Sequence, residues 1–300
     1  MRKLLITGAL GYNSSFFDEL KRSGYEILFV KDERGDIPPE AYEAETIICN
    51  GLFLHHGIEK FENLKLVQLT SAGFDRVPME YAAEHGIAVY NARGVYGIPM
   101  AEFVISGILE LYKQSRFFYK NQQKREWVKH RGLFEIYGKR AVIVGAGNIG
   151  GECARRLSAF GASVVGVDLY PREDADYKRI SPLSEIDGEL AVADIVILTL
   201  PLTEETRGLF DKALISKIKR GAVIANIARG AVIDTAALIS ALEDGHLGGA
   251  VLDVFDQEPL GEDSPLWEME NVILTPHNSF VGDGNEKRLL RIIEENLGLY

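Results

Sequence analysis

The feature that most constrains this chain is an alternation, from one end to the other, of short apolar runs with segments of helical periodicity. Lys3–Thr7, Glu26–Val30, Thr46–Cys49, Leu66–Leu69 and Ala88–Tyr90 form a first series. Ala141–Val144, Ser163–Val167, Ile195–Leu200, Val223–Asn226, Ala250–Asp253 and Val272–Leu274 form a second. The runs are too short for helices and lack the polar/apolar alternation of a half-exposed strand, as expected of strands buried on both faces. Strands that alternate with helices predict an α/β fold built on parallel sheets. Between the two series a helix is expected from Pro99, with Phe103, Val104, Gly107, Ile108 and Leu111 on its apolar face. The basic stretch Lys120–Arg131, which contains Trp127, reads as a solvated helix face, and a closing helix is expected over Asn285–Glu295.

Charge and cysteine usage exclude several roles. With 33 Lys and Arg against 44 Asp and Glu, the chain carries a formal charge of −11, which argues against nucleic-acid or anionic-membrane partners. It does not argue against phosphate binding, because backbone amides at a helix N-terminus need no net positive charge. Cys49 and Cys153 lie far apart without metal-ligand spacing, so neither a disulfide framework nor a zinc site is expected, and a reducing, cytoplasmic setting is. The start, Met1-Arg2-Lys3-Leu4-Leu5-Ile6, is broken by Thr7-Gly8 and reads as a first strand, not a signal peptide. No apolar stretch has the length of a membrane span. His55-His56 lacks further ligands at metal spacing and reads as a loop pair.

Gly145-Ala146-Gly147-Asn148-Ile149-Gly150 follows the strand Ala141–Val144 and opens a helix. A GxGxxG string alone is weak evidence, but at a strand-to-helix turn each glycine has a task. Gly145 permits the tight turn, Gly147 lets a pyrophosphate approach the backbone, and Gly150 lets the helix lie close on the strand. Asp168 ends the next strand, about 20 residues further on, where a carboxylate accepts from the ribose hydroxyls and repels a 2′-phosphate. The expected cofactor is therefore NAD (NADH), with NADP disfavoured. Arg172, nearby, reads as a surface arginine. Roughly 140 residues precede this turn, enough for a separate lobe.

Three polar residues stand at the ends of successive strands beyond the turn: Arg229, Glu258 and His277. In an open parallel sheet ligands bind outside the carboxyl ends of the strands, so all three would face one site. Arginine grips a carboxylate and polarises a carbonyl. Histidine exchanges a proton with a carbonyl oxygen, and a neighbouring glutamate favours its imidazolium form. Arginine and imidazolium together supply the positive charge that the developing oxyanion needs, so no metal is expected.

These residues and their spacing resemble the D-isomer-specific 2-hydroxyacid dehydrogenase family. The resemblance is carried by the glycine turn with Asp168, by Asn226-Ile227-Ala228-Arg229-Gly230, by Leu252-Asp253-Val254-Phe255-Asp256-Gln257-Glu258-Pro259-Leu260, and by Pro265-Leu266-Trp267 leading to Thr275-Pro276-His277. Thr70-Ser71-Ala72-Gly73-Phe74-Asp75 is a weaker match. The family implies two Rossmann-like parallel-sheet lobes with the active site in the cleft between them. Residues 1–98 plus 282–300 would form the substrate-binding, flavodoxin-like lobe, and 99–281 the NAD-binding Rossmann lobe. It implies a 2-oxoacid reductase in which His277 is the acid/base, Glu258 pairs with it and Arg229 binds the substrate. Ser71, Ala72 and Gly73 would offer backbone N–H groups to the substrate carboxylate. Asp253 would orient the nicotinamide amide, with Pro201 and Ala228 along the cofactor, beside Gly145, Gly147, Asn148, Ile149, Gly150 and Asp168. The expected partners are a small 2-oxo or 2-hydroxy acid and a second copy of the chain, joined through the connecting helix and the Trp127 region. Two alternatives stay open: an NAD(H)-binding sensor or co-repressor-like protein, and a formate or phosphite dehydrogenase-like enzyme. Phe280, soon after His277, stands where smaller residues are usual and would reshape the pocket.

Overall fold

The computed structural model describes residues 1–11 and 13–299; Tyr12 and Tyr300 lie outside the described residues. The chain divides into two compact units, Met1–Tyr96 with Gly282–Tyr300, and Gly97–Val281.

In the first unit, β1 (Arg2–Thr7), α1 (Ser14–Arg22), β2 (Tyr25–Val30), β3 (Thr46–Cys49), β4 (Leu66–Leu69), α2 (Met79–Glu84) and β5 (Ala88–Tyr90) build an all-parallel sheet ordered β2-β1-β3-β4-β5. Phe16, Phe17 and Leu20 of α1 cluster with Leu289 and Ile293 of the closing helix over one face. Ile37, Ala41, Phe61, Leu64 and Ala82 cover the other. Asn13 caps α1, its side chain accepting from Phe16 N–H at 3.1 Å. The order reverses between β1 and β3, the usual place for a ligand crevice. Here Glu33 is held between those strand ends, accepting from Thr7 Oγ1 at 2.6 Å and from the backbone N–H groups of Asn50 and Gly51. An internal carboxylate thus takes the amides that would otherwise be open to an anion.

The second unit opens with α3 (Gly97–Tyr112) and α4 (Ser115–Lys124). A sheet follows, made of β6 (Arg140–Val144), β7 (Ser163–Asp168), β8 (Arg179–Pro182), β9 (Ile195–Leu198), β10 (Ala222–Asn226), β11 (Leu247–Leu252) and β12 (Val272–Leu274). All its pairings are parallel, in the order β12-β11-β10-β9-β6-β7-β8. The intervening helices are α5 (Asn148–Ala159), α6 (Ile186–Leu190), α7 (Lys212–Lys217) and α8 (Thr235–Glu243), and α9 (Asn285–Leu297) returns to the first unit. Successive strand residues face opposite sides. Val142, Val144, Val196, Leu198 and Ile224 meet Leu214 and Leu238 on one side. Ala141, Ile143, Ile195, Ile197 and Val223 meet Val104, Ile108, Cys153 and Leu157 on the other. Both faces are covered, which is why the strands read as unbroken apolar runs.

Several sequence expectations are corrected. The connecting helix begins two residues before Pro99 and breaks in two, because Gln114 takes a left-handed conformation with φ 53°. The basic stretch is not one helix face: α4 stops at Lys124, where Arg125 (φ 60°) turns the chain and Glu126 N–H bonds Asn121 O at 2.9 Å. Beyond it, residues 126–135 are irregular. Strand β11 starts at Leu247 rather than Ala250, running through the turn-like pair Gly248-Gly249, and β8 carries no apolar run that would announce it.

Glu189 on α6 is 2% exposed and joins three elements. Its carboxylate accepts from Ser181 Oγ on β8 at 2.8 Å and is paired with Arg140 at the start of β6 and Arg179 on β8. Burial pushes its pKa up, but the hydrogen bonds from Ser181, Arg140 and Arg179 outweigh that and hold it below the ordinary glutamate value. A depressed pKa contributes stability above the unfolded-state value and loses it as pH falls through the folded-state one. Glu189→Gln is expected to cost about 2–4 kcal/mol of unfolding free energy at pH 7, measured by urea denaturation. The gap from wild type should begin to narrow as pH falls below about 4.5, where the unfolded chain's glutamate takes up a proton, and should close only once pH has passed below the lower native value.

Candidate active site

The parallel register of β6, β7, β9, β10, β11 and β12 delivers every candidate residue of the second unit to the carboxyl edge of one sheet. The order reverses at β6, between β7 and β9, and the glycine turn leaves the sheet there.

Gly145 has φ 99°, and a Cβ on it would stand 2.6 Å from Leu200 N, so the turn admits only glycine. Thr199 Oγ1 donates to Gly145 O at 2.6 Å, and Gly145 N–H donates to Val167 O at 2.8 Å. Gly147 caps α5 and has open space beside it. The half-buried Asn148 begins the helix. The Asp168 carboxylate accepts from Ala146 N–H at 2.8 Å and from Tyr170 N–H at 3.0 Å, which fixes it beside the turn. Arg172 is more than a surface residue: its guanidinium reaches back to donate to Ala146 O and stands 3.6 Å from Asp174. A cradle of open glycine backbone, a free helix N-terminus and a fixed carboxylate fits a dinucleotide. Pro201 and Ala228 follow β9 and β10 at the same edge, with Pro201 O accepting from Thr206 Oγ1 at 2.7 Å.

Arg229 is placed by Asn226, which is 1% exposed. The Asn226 side chain accepts from Ala228 N–H and donates to Arg229 O, both at 3.0 Å, folding the strand end into a turn. Arg229 Nη1 donates to Ala228 O at 2.8 Å, and its side chain is otherwise exposed. A Cβ on Gly230 would collide with the Phe255–Asp256 backbone, so this glycine lets the Arg229 turn lie directly on the segment that leads to Glu258.

His277 Nδ1 and Glu258 Oε2 are 2.9 Å apart, while Glu258 Oε1 accepts from Phe255 N–H at 3.1 Å. The glutamate is thereby held on one side of the imidazole, and Nε2 has no partner among the described residues. The Phe280 ring lies edge-on to His277, with centroids 6.2 Å apart. His277 itself has φ 51°, rare for a residue with a side chain.

That conformation is held by Asp253, which is fully buried. Its Oδ1 accepts from Thr275 Oγ1 at 2.7 Å and Asn278 N–H at 2.8 Å, and its Oδ2 from Ser279 N–H at 2.9 Å. Its carbonyl accepts from His277 N–H at 2.8 Å. The sequence reading gave Asp253 only a cofactor contact and missed this grip on the histidine loop. It missed Asn226 as well; a buried amide at the end of an apolar strand is the one signal that would have marked it. Ser71, Ala72 and Gly73 lie in the first unit, just past β4. There Asn91 Nδ2 donates to Ala72 O at 2.6 Å and Ala92 N–H to Ser71 O at 2.8 Å. His56 bonds Gly35 O at 3.1 Å and Tyr42 Oη at 3.2 Å.

In Asp253→Asn an amide N–H₂ faces backbone donors on at least one side. The substitution is expected to lower unfolding free energy by about 2 kcal/mol in urea. It should also free the 275–279 loop, read as faster amide exchange at Asn278 and Ser279.

Comparison with known proteins places this geometry. The family model described as the D-isomer specific 2-hydroxyacid dehydrogenase, NAD binding domain, matches residues 105–279. D-3-phosphoglycerate dehydrogenase of Methanocaldococcus jannaschii is 35% identical over 80% of this chain, but the match spans only 46% of that longer protein. Glyoxylate reductase of Korarchaeum cryptofilum is 33% identical over 80% of this chain and 74% of its own. A crystal structure of a D-isomer specific 2-hydroxyacid dehydrogenase family protein from Aeromonas salmonicida subsp. salmonicida A449 aligns with TM-score 0.82 at 32% identity, covering 99% of this chain and 96% of that one. The chain therefore belongs to the D-isomer specific 2-hydroxyacid dehydrogenases, a family of NAD-dependent oxidoreductases acting on CH–OH donors, and its second unit contains their NAD-binding domain.

Proposed function

We propose that this protein is an NAD-dependent 2-oxoacid reductase of D-2-hydroxyacid specificity. The observation that carries the reading is the Glu258–His277 pair at 2.9 Å, on the same sheet edge as the glycine turn and Arg229. The likeness to a glyoxylate reductase and a phosphoglycerate dehydrogenase supports the reaction class.

When bound, NADH supplies the hydride. Gly145, Gly147, Asn148, Ile149 and Gly150 hold its pyrophosphate by backbone amides and the N-terminus of α5. Asp168 takes the ribose hydroxyls and, as a fixed negative charge, disfavours NADP. Pro201 and Ala228 would line the rest of the cofactor's path, while the fully buried Asp253 holds the loop that carries His277 rather than reaching the cofactor with its side chain. Arg229 presents N–H donors to the substrate carboxylate and to the carbonyl oxygen beside it, stabilising the charge that gathers there. Ser71, Ala72 and Gly73, just past β4 in the first unit, offer backbone N–H groups of the kind that suit a carboxylate. His277 gives a proton from Nε2 to the carbonyl oxygen on reduction and recovers it in the reverse direction. Glu258 fixes the ring through Nδ1.

The exposed apolar segment after α4 supports a homodimer through the connecting helices and the Trp127 region. Trp127 is 96% exposed and Tyr137 77%, an unusual outlay of aromatic surface for a monomer. The setting proposed for this protein is the reducing cytoplasm. Buried, unpaired Cys49 and Cys153 suit it, burial pushing the Cys153 thiol up to about 12.

His277→Ala and Arg229→Ala should each lower kcat/KM for a good 2-oxo acid by about 10²–10⁴-fold, and Glu258→Gln by about 10–100-fold, with NADH still binding. Near-wild-type reduction by the first two variants would overturn the assignment. Sedimentation velocity should show a dimer for the wild type and a monomer for Trp127→Glu.

A further inference from the structure

The first residue of α3, Gly97, touches the cofactor turn. A methyl group on it would stand 2.5 Å from Asn148 Oδ1, 3.1 Å from Glu152 Cγ and 3.3 Å from Asn148 Cγ. The helix itself gives no reason for a glycine here: its φ is not positive, and alanine is the better helix former. What fills the space beside Gly97 is the Asn148 carboxamide. Asn148 is the first residue of α5 and the fourth of the Gly145–Gly150 turn. Its carboxamide is half-buried and has no hydrogen-bond partner among the described residues. A half-buried amide left unpaired at the mouth of a phosphate-binding turn is a donor suited to a ligand oxygen.

We infer that Gly97 is a positioning residue for the cofactor. Its missing side chain gives the Asn148 carboxamide the room to lie against the first turn of α3, and that rotamer turns the amide to the pyrophosphate. The inference rests on reading Gly145–Gly150 as the dinucleotide turn. The two neighbours of Gly97 differ in what they can yield. Glu152 is tied to Arg155 at 3.1 Å and to Arg156 at 2.6 Å. The Asn148 amide is the end of a side chain with no tie. A Cβ at position 97 therefore rotates Asn148 away and leaves the helix contact in place.

The test is NADH affinity by fluorescence titration of wild type, Gly97→Ala, Asn148→Ala and the double variant, with thermal midpoints alongside. Each single variant should raise the NADH Kd about ten- to a hundredfold, the worth of one hydrogen bond to a charged acceptor. The double variant should bind no more weakly than Asn148→Ala alone, because the methyl group has nothing left to displace. The midpoint of Gly97→Ala should stay within a few degrees of wild type, and in turnover the change should fall on the KM for NADH rather than on kcat. The inference is overturned if Gly97→Ala binds like wild type, if its loss persists undiminished in the Asn148→Ala background, or if it fails to fold. Wild-type protein that does not bind NADH at all would instead refute the reading of the turn, and the inference would fall with it.

Discussion

The candidate site depends on one buried carboxylate. Asp253 sits at the end of β11 and accepts three hydrogen bonds from residues 275–279 past the end of β12, while its carbonyl takes the N–H of His277. A carboxyl side chain with no exposure is costly to bury unless its oxygens are satisfied, and here the loop that satisfies them is the loop that carries the histidine. The left-handed backbone of His277 persists because its neighbours on both sides are fixed to the same carboxylate. Glu258 then has a ring of fixed orientation to pair with.

The placement of these loops is a consequence of topology more than of local sequence. Parallel strands put all their carboxyl ends on one edge, so the turns after β6, β10, β11 and β12 are neighbours without any contact having to select them. Asn226 and Gly230 refine the arrangement, the first by folding the Arg229 turn and the second by letting it lie on the Phe255–Asp256 backbone. In the first unit the equivalent crevice between β1 and β3 is closed by Glu33, so its backbone amides serve the fold rather than a ligand.

What the sequence disclosed and what it concealed follow from the range of the forces involved. The buried strands were visible because apolar runs record burial on both faces, and β3, β4 and β12 fall where the runs do, as does the more exposed edge strand β5. The glycine turn was visible because its requirements are local: a tight turn, an approachable backbone, an acid one strand on. The break at Gln114 and the end of α4 at Arg125 were not visible, since neither residue type announces a left-handed backbone and both are set by the packing around them. The edge strand β8, held through Ser181 and Arg179 by the buried Glu189, was hidden for the same reason. Asp253 carried a polar residue's signal at a strand end, but its partners are about 25 residues further along the chain. Arg172 is exposed, as read, but its bond to Ala146 O was not legible because that acceptor belongs to a distant turn.

The most direct test of the account is turnover. Purified protein is given NADH, and separately NADPH, with 2-oxo acids of graded size and charge, and cofactor oxidation is followed. The account predicts rapid oxidation of NADH with at least one class of 2-oxo acid, a clear preference over NADPH set by Asp168, and a D-2-hydroxy acid as product. Tight NADH binding with no oxidation across the panel would contradict it, leaving a nucleotide-binding protein whose arginine, glutamate and histidine do not perform the reduction.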